Sequence, residues 1–470
     1  MTKDKPFIKL LKSPHSGYFY DVNRNEIIPV DDDVFDYLNN EQKGNGLSAF
    51  SQGTINKVME LKSTGFLSSN KVKEIKHPMT DYLEEILNRN MQKISLQITQ
   101  NCNFRCTYCT YTLCEGTQRT HSTKKMPLET AKKAILFLRE HSINCKSVYL
   151  GIYGGEPLME FENLKYIVKF AQDVFNGKEL KFTMTTNASL LSDEIVEFLI
   201  ENKFDVVISL DGPKKIHDKN RVFAVNGKGT FDIVKERLEH IHEFYPDFFK
   251  KLGVNMVIDP SNDFNEINSL FASLNILNEV SIQSTIVDNS YSNTPTVYMD
   301  DFVSNHAYHT FLAYLGEVNR INDEKLSPIT MQIPISTRDD IDRMIPTLAL
   351  REVAAPGGPC MPGQVRPMVT VDGDIFPCER VSEVSEAMKI GSIESGLDME
   401  KAKALLNIGA LTPNACRNCW AFLQCGLCAK FADNNGTLSG DKKLSYCNSS
   451  RANVQDKMKA VILMNEIQNL

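Results

Sequence analysis

Three cysteines with a spacing that suits a metal cluster, Cys102, Cys106 and Cys109, follow a strand-like segment. This CxxxCxxC run supplies three thiolates to a four-iron cluster and leaves the fourth iron without a protein ligand. An open iron can bind a small molecule through two atoms, so the motif indicates chemistry more than electron storage. Short cysteine runs also bind zinc, and the motif alone leaves that alternative open. The aromatic Tyr108, directly before the third cysteine, is well placed to cover one face of a cluster and an adjacent adenine ring.

The remaining cysteines are unevenly distributed. Five of the 12 cysteines lie between Cys102 and Cys145, seven lie between Cys360 and Cys447, and the first 100 residues contain none. Disulfides are not expected in a reducing compartment. The distribution therefore predicts two metal-binding regions and one metal-free region.

Length and composition exclude several classes of protein. A chain of 470 residues is too long for one core, and about three domains are expected. Hydrophobic residues make up 42% and charged residues 24%, which is typical of a globular protein. No apolar run approaches the roughly 20 residues of a membrane helix, and the polar N-terminus lacks a signal segment, so a cytoplasmic location is expected. The net charge of −7 without a long basic run argues against a nucleic-acid partner.

The N-terminal part, residues 1–80, reads as a small separate α+β unit. Strands are predicted at Phe7 to Leu11, Tyr18 to Val22 and Glu26 to Val30, followed by helices at Asp32 to Asn39 and Gln52 to Ser63. This order of elements predicts a winged-helix-like domain. The charged stretch from Ser68 to Pro78 reads as a linker.

Residues 90–288 alternate between strand and helix. Six strands are predicted, at Ile94–Gln100, Ser147–Tyr153, Leu180–Asn187, Asp205–Leu210, Gly253–Asp259 and Val280–Val287. Amphipathic helices between them predict an α/β fold, a partial (β/α)6 TIM-like barrel with a parallel sheet. The active site of such a barrel lies at the C-terminal strand ends, which is where the cysteine run falls. Residues 289–350 break the alternation and are interpreted as a bridge or insertion, and residues 351–470 hold the second cysteine group and a final helix.

Polar and glycine residues follow the next strands of this barrel. Gly154-Gly155-Glu156-Pro157 ends the second strand, Thr186-Asn187 the third, and Ser209 and Asp211 the fourth, with Arg221 twelve residues after Ser209. Glycines permit close approach of a ligand to the backbone, a carboxylate can accept a bond from an amino group, and an arginine fork can pair with a carboxylate. A tight turn, strand-end caps and a surface salt bridge are the alternatives for these residues.

Taken in this order along the chain, these motifs resemble those of the radical S-adenosylmethionine (SAM) enzymes. The resemblance implies that Cys102, Cys106 and Cys109 hold a [4Fe-4S] cluster and that the GGEP motif holds the SAM amino group. It further implies that Asn187, Ser209 and Asp211 line the nucleoside and that Arg221 binds the SAM carboxylate. The implied chemistry is reductive cleavage of SAM to a 5′-deoxyadenosyl radical, which abstracts hydrogen from a substrate carbon. An electron donor such as flavodoxin or ferredoxin is implied as well.

The C-terminal cysteines resemble the SPASM extension of radical SAM enzymes that modify peptides and proteins. The pattern runs through seven thiols: Cys360, Cys378, Cys416, Cys419, Cys425, Cys428 and Cys447. The family more often has three residues between the last two cysteines of its four-cysteine run, and here there are two. The resemblance implies two auxiliary [4Fe-4S] clusters, one complete with Cys416, Cys419, Cys425 and Cys447, and one held by Cys360, Cys378 and Cys428 with an open iron.

An open iron would suit a substrate thiolate. The vacancy could instead be filled by another residue, by water, or by Cys114 or Cys145, which otherwise read as buried thiols. Zinc knuckles are the alternative for the whole group. Glu379 corresponds to the position of a catalytic base in related sulfatase-maturing enzymes, and a carboxylate paired with Arg380 is the competing interpretation.

The sequence thus predicts a ribosomal peptide (RiPP) maturase that forms thioethers of the sactipeptide or ranthipeptide type. Residues 1–80 would bind the leader of a precursor peptide, with a cysteine in its core, as an added strand. The enzymatic alternatives are a carbon–carbon crosslink, epimerisation, or formylglycine formation as in sulfatase maturation. A zinc-stabilised peptide-binding protein would explain the N-terminal domain but not the GGEP motif with Arg221.

Overall fold

The computed structural model describes residues 5–113, 116–288, 290–291, 296–322 and 326–468. None of the helices among these residues has the length and apolar character required to span a bilayer. The strands that build the two larger sheets are β1 (Ile8–Lys12), β2 (Gly17–Asp21), β3 (Glu26–Val30), β5 (Lys93–Thr99), β6 (Ser147–Gly154), β7 (Glu179–Thr186), β8 (Phe204–Ser209), β9 (Gly253–Ile258), β10 (Ser281–Ile286), β12 (Met368–Val369), β13 (Asp374–Phe376), β14 (Gly391–Ser392) and β15 (Gly396–Leu397). Two short pairs complete the set, β4 (Glu74–Ile75) with β11 (Val353–Ala354) and β16 (Asp433–Asn434) with β17 (Thr437–Leu438).

The helices are numbered in chain order. They are α1 (Asp32–Lys43), α2 (Gln52–Ser63), α3 (Leu83–Arg89), α4 (Thr110–Leu113), α5 (Leu128–His141), α6 (Phe161–Val174), α7 (Asp193–Glu201), α8 (Lys214–Asn220), α9 (Phe231–Phe244), α10 (Pro246–Phe249), α11 (Phe264–Asn268), α12 (Leu270–Ser273), α13 (Asp300–Glu317), α14 (Pro328–Arg343), α15 (Met399–Leu406), α16 (Pro413–Arg417), α17 (Gly440–Ser445) and α18 (Cys447–Gln468). Apolar residues at helical spacing explain the barrel helices: α5 buries Ala131, Ala134, Ile135 and Leu138 against the sheet.

The six strands β5 to β10 form a parallel sheet in chain order, and β10 does not pair with β5. The predicted open (β/α)6 arrangement is confirmed. The sequence-predicted strands agree with the observed ones to within a residue or two at each end. Parallel strands in this order bring all their carboxyl ends to one edge, which carries the candidate site.

The cysteine-rich C-terminal region adds four short strands to the barrel sheet. Strand β12 pairs in parallel with β5, and β13, β14 and β15 continue the same sheet in antiparallel order. Met368 and Val369 of β12 are fully buried in the barrel core. The sequence analysis treated this region as a separate unit. Two-residue strands carry no local pattern that would reveal such pairing.

The N-terminal sheet β1-β2-β3 is buried on both faces. One face packs on α1 and α2, through Phe19, Val34 and Leu38. The other face, with Tyr20 and Val22, packs on C-terminal residues that include Val454 and Met458 of α18. The sequence predicted a linker from Ser68 to Pro78, but this segment contains β4, which pairs with β11. The unit predicted as separate is therefore attached to the C-terminal region through an apolar contact.

Residues 289–350, predicted as a bridge, contain the helices α13 and α14. Helix α14 packs on α13, on β10 and on α18, so this segment connects the last barrel strand with the C-terminal helix. The predicted helix Tyr298 to Val318 corresponds to α13.

Candidate functional site

The loop that carries the first cysteine run is fixed to the segment that follows α8. Backbone bonds join Arg105 N to Val222 O and Thr107 N to Asn220 O, each at 2.8 Å. Phe104 is 1% exposed and packs edge-on against Phe223. These contacts place the cysteine loop beside Arg221, although 112 residues separate Cys109 from Arg221 in the sequence.

The structure brings Cys102, Cys106 and Cys109 together in partly buried positions. Burial raises the pKa of Cys102 to about 12 and that of Cys106 to about 11, and the neighbouring thiols add to the shift. Free thiols with such pKa values keep their protons at neutral pH. Binding of a metal cluster therefore has to release protons.

The arrangement of thiols bears on the choice between zinc and a cluster. Within the described ranges, no three His, Cys, Asp or Glu side chains converge closely enough to bind one metal ion. Ligands of a single zinc must meet at one point, each about 2.0–2.3 Å from the ion. The cysteines of a four-iron cluster each bind a different iron and stand further apart. A four-iron cluster does not require three side chains to meet at one point.

The backbone of Thr99 and Asn101 comes so close to the end of β6 that a side chain has no room at Gly154 and Gly155. Gly155 N bonds Thr99 O at 3.0 Å, and a Cβ added at Gly155 would lie 2.0 Å from the carbonyl oxygen of Asn101. Gly154 has a φ of +156° and is crowded by Thr99. The Gly-Gly pair therefore holds the end of β6 directly against the residue before Cys102.

Replacing Gly155 with Ala should push Asn101 and the adjoining cysteine loop out of place. We expect Gly155→Ala to lower the free energy of unfolding by about 1–3 kcal/mol and to reduce the iron content. Gly46→Ala is the matched control, because no atom lies within 4 Å of its added Cβ. Thermal unfolding and iron analysis of both variants test this. Equal behaviour of the two would show that the close approach at Gly155 does not matter.

Glu156 is 1% exposed, and protein donors bind its carboxylate. It accepts hydrogen bonds from Thr186 Oγ1 at 2.7 Å, Asn187 N at 2.8 Å and Leu158 N at 3.1 Å. Burial raises the pKa of Glu156, and these donors oppose the shift. In this structure Glu156 fixes the end of β7 to the end of β6. Its predicted contact with the SAM amino group stays a prediction.

Asn187 and Ser209 lie where the sequence analysis expected them. Asn187 donates to Asn103 Oδ1 at 2.8 Å and accepts from Ser189 Oγ at 2.6 Å, so it links β7 to the cysteine loop. Ser209 is buried at the end of β8. Both residues lie at the carboxyl edge of the sheet, beside the cysteines.

Tyr108, Asp211 and Arg221 form one buried network. The Tyr108 hydroxyl donates to Asp211 Oδ2, and Arg221 Nη1 donates to Tyr108 Oη at 2.6 Å and lies 3.6 Å from Asp211 Oδ1. Burial raises the pKa of Asp211, and the charge of Arg221 opposes the shift. Arg221 Nε is buried without a partner among the described residues. This cationic group with a free donor fits an anionic ligand group, such as the carboxylate of SAM.

Two residues that the sequence analysis missed support this network. His217 is fully buried; its Nδ1 accepts from Asp211 N at 3.4 Å, and its Nε2 lies 3.0 Å from Thr230 Oγ1. Thr230 Oγ1 donates to Arg221 O at 2.9 Å. Burial lowers the pKa of His217 to about 2, so the ring is neutral and its Nε2 donates. A lone histidine in a helix gives no sequence signal for this role.

The structure divides the seven C-terminal thiols into two groups. In the first, which we call the three-thiol group, Cys360 and Cys428 both interact with Cys378. In the second, the four-thiol group, Cys447 interacts with Cys425 and Cys416, and Cys419 interacts with Cys425. These are the two sets that the sequence resemblance implied. Cys145 belongs to neither, because it is buried beside Met91 O, and Cys114 lies outside the described residues.

The three-thiol group faces the barrel. Arg366 interacts with Cys378 and Cys360, and also with Tyr153 of β6, which in turn interacts with Cys109. Cys360 is exposed, and the other two thiols are half-buried. Arg366 and Tyr153 therefore connect the three-thiol group with the first cysteine run.

Glu379 is held between two arginines. Its Oε1 is paired with Arg366 and lies 3.9 Å from Arg380 Nε. These contacts agree with the interpretation of Glu379 as a paired carboxylate. Its role as a base stays a prediction.

A second buried ion pair links the barrel to the C-terminal region. Glu383, with a side chain 4% exposed, accepts from Arg119 Nε, Gln97 Nε2 and Tyr111 Oη, each at 2.8 Å. Arg119 also stacks on the Tyr111 ring, 3.6 Å from its centroid. The sequence analysis did not identify this network, because its members lie up to 286 residues apart.

Comparisons with known proteins agree with this geometry. Residues 96–273 match the family model of the radical SAM superfamily. The chain is 30% identical over 211 residues to a cysteine-type anaerobic sulfatase-maturating enzyme of Clostridium novyi, covering 37% of this chain and 54% of the relative. It is 24% identical over 263 residues to the radical SAM cyclopropyl synthase TigE of Paramaledivibacter caminithermalis, covering 51% of this chain and 53% of the relative. The chain spans about half the length of the curated relatives it matches.

Among solved structures, native anSMEcpe with bound AdoMet aligns with a TM-score of 0.59 at 19% identity, covering 81% of this chain and all of that chain. This likeness shows a shared fold, and about a fifth of the present chain has no counterpart in it. The match to the family model, the sequence likeness to the maturating enzymes and the parallel sheet with cysteines at its carboxyl edge lead to one conclusion. Residues 96–273 form a domain that matches the radical SAM family model, and the chain is similar over part of its length to anaerobic sulfatase-maturating enzymes.

Proposed function

We propose that the protein is a radical SAM peptide maturase that installs thioether links, from a cysteine sulfur to a carbon, in a ribosomally made precursor. Sequence relatives with maturating activity and a structural neighbour with a bound Cp18Cys peptide support a peptide or protein substrate. Each link removes one hydrogen atom from the acceptor carbon, which the 5′-deoxyadenosyl radical takes up, and a proton and an electron from the cysteine thiol; the electron would pass to an auxiliary cluster. A one-electron donor such as flavodoxin or ferredoxin would supply the reducing electron for SAM cleavage.

The residues of the barrel edge fit the cofactor. Cys102, Cys106 and Cys109 would hold the four-iron cluster, and Arg221 with its free Nε would hold the SAM carboxylate. The remaining contacts would come from Tyr108, Gly154, Gly155, Glu156, Asn187, Ser209 and Asp211. Bound SAM with its cluster supplies an oxidant that removes a hydrogen atom from a substrate carbon. The protein positions the reactants and excludes water.

The observation that carries the thioether proposal is the three-thiol group. Three thiolates would leave one iron of a four-iron cluster without a protein ligand. A thiolate is a soft ligand that suits such an iron. The group also faces the SAM site through Arg366 and Tyr153. We therefore assign this position to the substrate cysteine.

Formylglycine formation is the second candidate, because sulfatase-maturating enzymes are among the relatives. That reaction needs a base to remove a proton from the substrate, and Glu379 is the residue at the corresponding position. In the structure its carboxylate is already paired with Arg366 and lies 3.9 Å from Arg380 Nε. This pairing is the reason for ranking the thioether first.

The N-terminal sheet is the proposed site for the leader peptide. No described strand pairs with the outer edges of β1 or β3. Strand β1 lies along the rest of the protein, since Lys9 stacks on Trp420 and Ser13 bonds Glu466. We therefore assign the added leader strand to the outer edge of β3, where main-chain hydrogen bonds would hold it.

Hydrogen exchange tests this assignment without altering the protein. A deletion of the domain would expose the apolar face that packs on α18, so it is a poor test. With the precursor encoded in the neighbouring reading frame, the outward-pointing amides among Glu26, Ile27, Ile28 and Val30 should exchange more slowly, because they become bonded; Pro29 has no N–H. A core peptide without the leader serves as the control. Unchanged exchange in β3 with the bound precursor would rule the assignment out.

A spectroscopic experiment tests the substrate position. Adding a cysteine-containing precursor to the reconstituted protein should change the magnetic spectrum of one auxiliary cluster. A precursor with Ser at the cysteine positions should leave it unchanged, because a neutral hydroxyl is a poor ligand to iron of this kind. Equal spectra with both peptides, at concentrations where both bind, would remove the basis for the thioether assignment.

A further inference from the structure

A lysine is buried against the four-thiol group. Lys443 of α17 is 2% exposed. Its Nζ donates to Thr412 Oγ1 at 2.7 Å and to Cys416 Sγ at 3.2 Å. The Thr412 hydroxyl lies 3.3 Å from the same sulfur. The ammonium head is therefore held inside the protein, in contact with a thiol of the group.

The charge of this lysine lacks a carboxylate partner. In the described part of the chain, no Asp or Glu lies within ion-pair distance of Lys443 Nζ, although most of the ion pairs found there involve lysine. Burying an ammonium group costs several kcal/mol unless an opposite charge compensates it. The thiol of Cys416, 3.2 Å from Lys443 Nζ, is a group that can become anionic in direct contact with this ammonium. The buried cation is therefore suited to an anionic group that is bound by the thiols.

A four-iron cluster with four thiolates would supply that negative charge. Reduction adds a further electron to an already anionic centre. A fixed cation beside a ligand sulfur stabilises this added charge, and the interaction is stronger in the low-dielectric interior of a protein than in water. Charge and hydrogen bonds at the sulfurs are among the factors that set the reduction potentials of such clusters.

We propose that Lys443 is a positioning residue that raises the reduction potential of the cluster held by Cys416, Cys419, Cys425 and Cys447. The inference rests on the auxiliary cluster of the proposed function and goes beyond it by assigning a direction of electron flow. A raised potential makes this cluster the favourable acceptor for the electron that the substrate cysteine loses. Among the described residues, the cations beside the three-thiol group are both paired with carboxylates, Arg366 with Glu379 and Lys430 with Asp288.

A redox titration of the full-length, anaerobically reconstituted protein tests this inference. The midpoint potential of each cluster is followed by electron paramagnetic resonance in the wild type, Lys443→Met and Lys443→Arg. Lys442→Met is the matched control: it removes the same charge from the neighbouring position, where the lysine is partly exposed and lies 5.7 Å from the Tyr446 ring centroid. Cys425→Ser identifies the signal that belongs to the four-thiol group.

The expected result is a lower midpoint for that signal in Lys443→Met, with the other midpoints unchanged. Lys443→Arg and Lys442→Met should stay near the wild type. If the Lys443→Met variant loses the cluster, the Lys443→Gln variant, which keeps a donor to Thr412, is measured in its place. Loss of the cluster in both neutral variants, with retention in Lys443→Arg, also supports a role for the charge. Unchanged midpoints in the neutral variants, or loss in Lys443→Arg as well, would overturn the inference. Absence of the signal from the wild type would instead refute the proposed auxiliary cluster.

Discussion

Replacing Cys102, Cys106 and Cys109 together with Ala is expected to remove about four of about twelve irons and to abolish SAM cleavage. These three thiols are the only cysteines that the described residues place beside the network of Tyr108, Asp211 and Arg221. Without them, no ligand holds an iron next to the site that fits the SAM carboxylate. Iron analysis and release of 5′-deoxyadenosine under a strong reductant measure both effects.

Cys145→Ala is the matched control for the loss of a thiol. Cys145 is buried in the barrel core beside Met91 O, apart from all three cysteine groups. The Cys145→Ala variant should keep the full iron content and the full rate of SAM cleavage. Stoichiometric zinc with little iron in wild-type protein prepared without air would contradict the assignment of the first cysteine run.

Replacing Cys360, Cys378 and Cys428 with Ala is expected to remove a similar amount of iron but to abolish peptide linking instead of SAM cleavage. About four irons should again be lost, while SAM cleavage without peptide persists, because the first cysteine run and Arg221 are untouched. Linked product should be lost completely, since the substrate cysteine has no iron to bind. Product analysis by mass spectrometry, alongside a 5′-deoxyadenosine assay, separates this result from general unfolding.

Cys416→Ala provides the comparison within the C-terminal region. Cys416 belongs to the four-thiol group and contacts Lys443 rather than the three-thiol group. The variant should still show the spectral change on adding cysteine-containing precursor. A loss of that response equal to the loss in the three-thiol variant would show that the two groups do not act separately.

Much of the barrel was predictable from the sequence because its signals are local. Alternating strand and helix patterns located β5 to β10, each to within a residue or two of the observed bounds. Parallel order then implied that the strand ends meet at one edge. The positions of the Cys102 run, the glycines and Arg221 at this edge follow from that order.

The rest of the site depends on contacts between distant segments. The pairing of β12 with β5 involves two buried residues without any periodic pattern. The Arg119–Glu383 pair and the contact of Lys443 with Cys416 each require the folded C-terminal region to be in place. Tyr108 was expected to cover the cluster and an adjacent adenine; its hydroxyl also lies between Asp211 and Arg221, a bond that only the three-dimensional arrangement shows.

The mass and thiol content of the product test the central claim most directly. Wild-type protein is incubated with SAM, reductant and the cysteine-containing precursor, and the peptide is analysed before and after alkylation. A thioether predicts loss of two hydrogens per link, a linked cysteine that resists alkylation, and no reaction of the precursor with Ser in place of Cys. Equal modification of the cysteine-free precursor, or exchange of sulfur for oxygen as in formylglycine, would contradict the account.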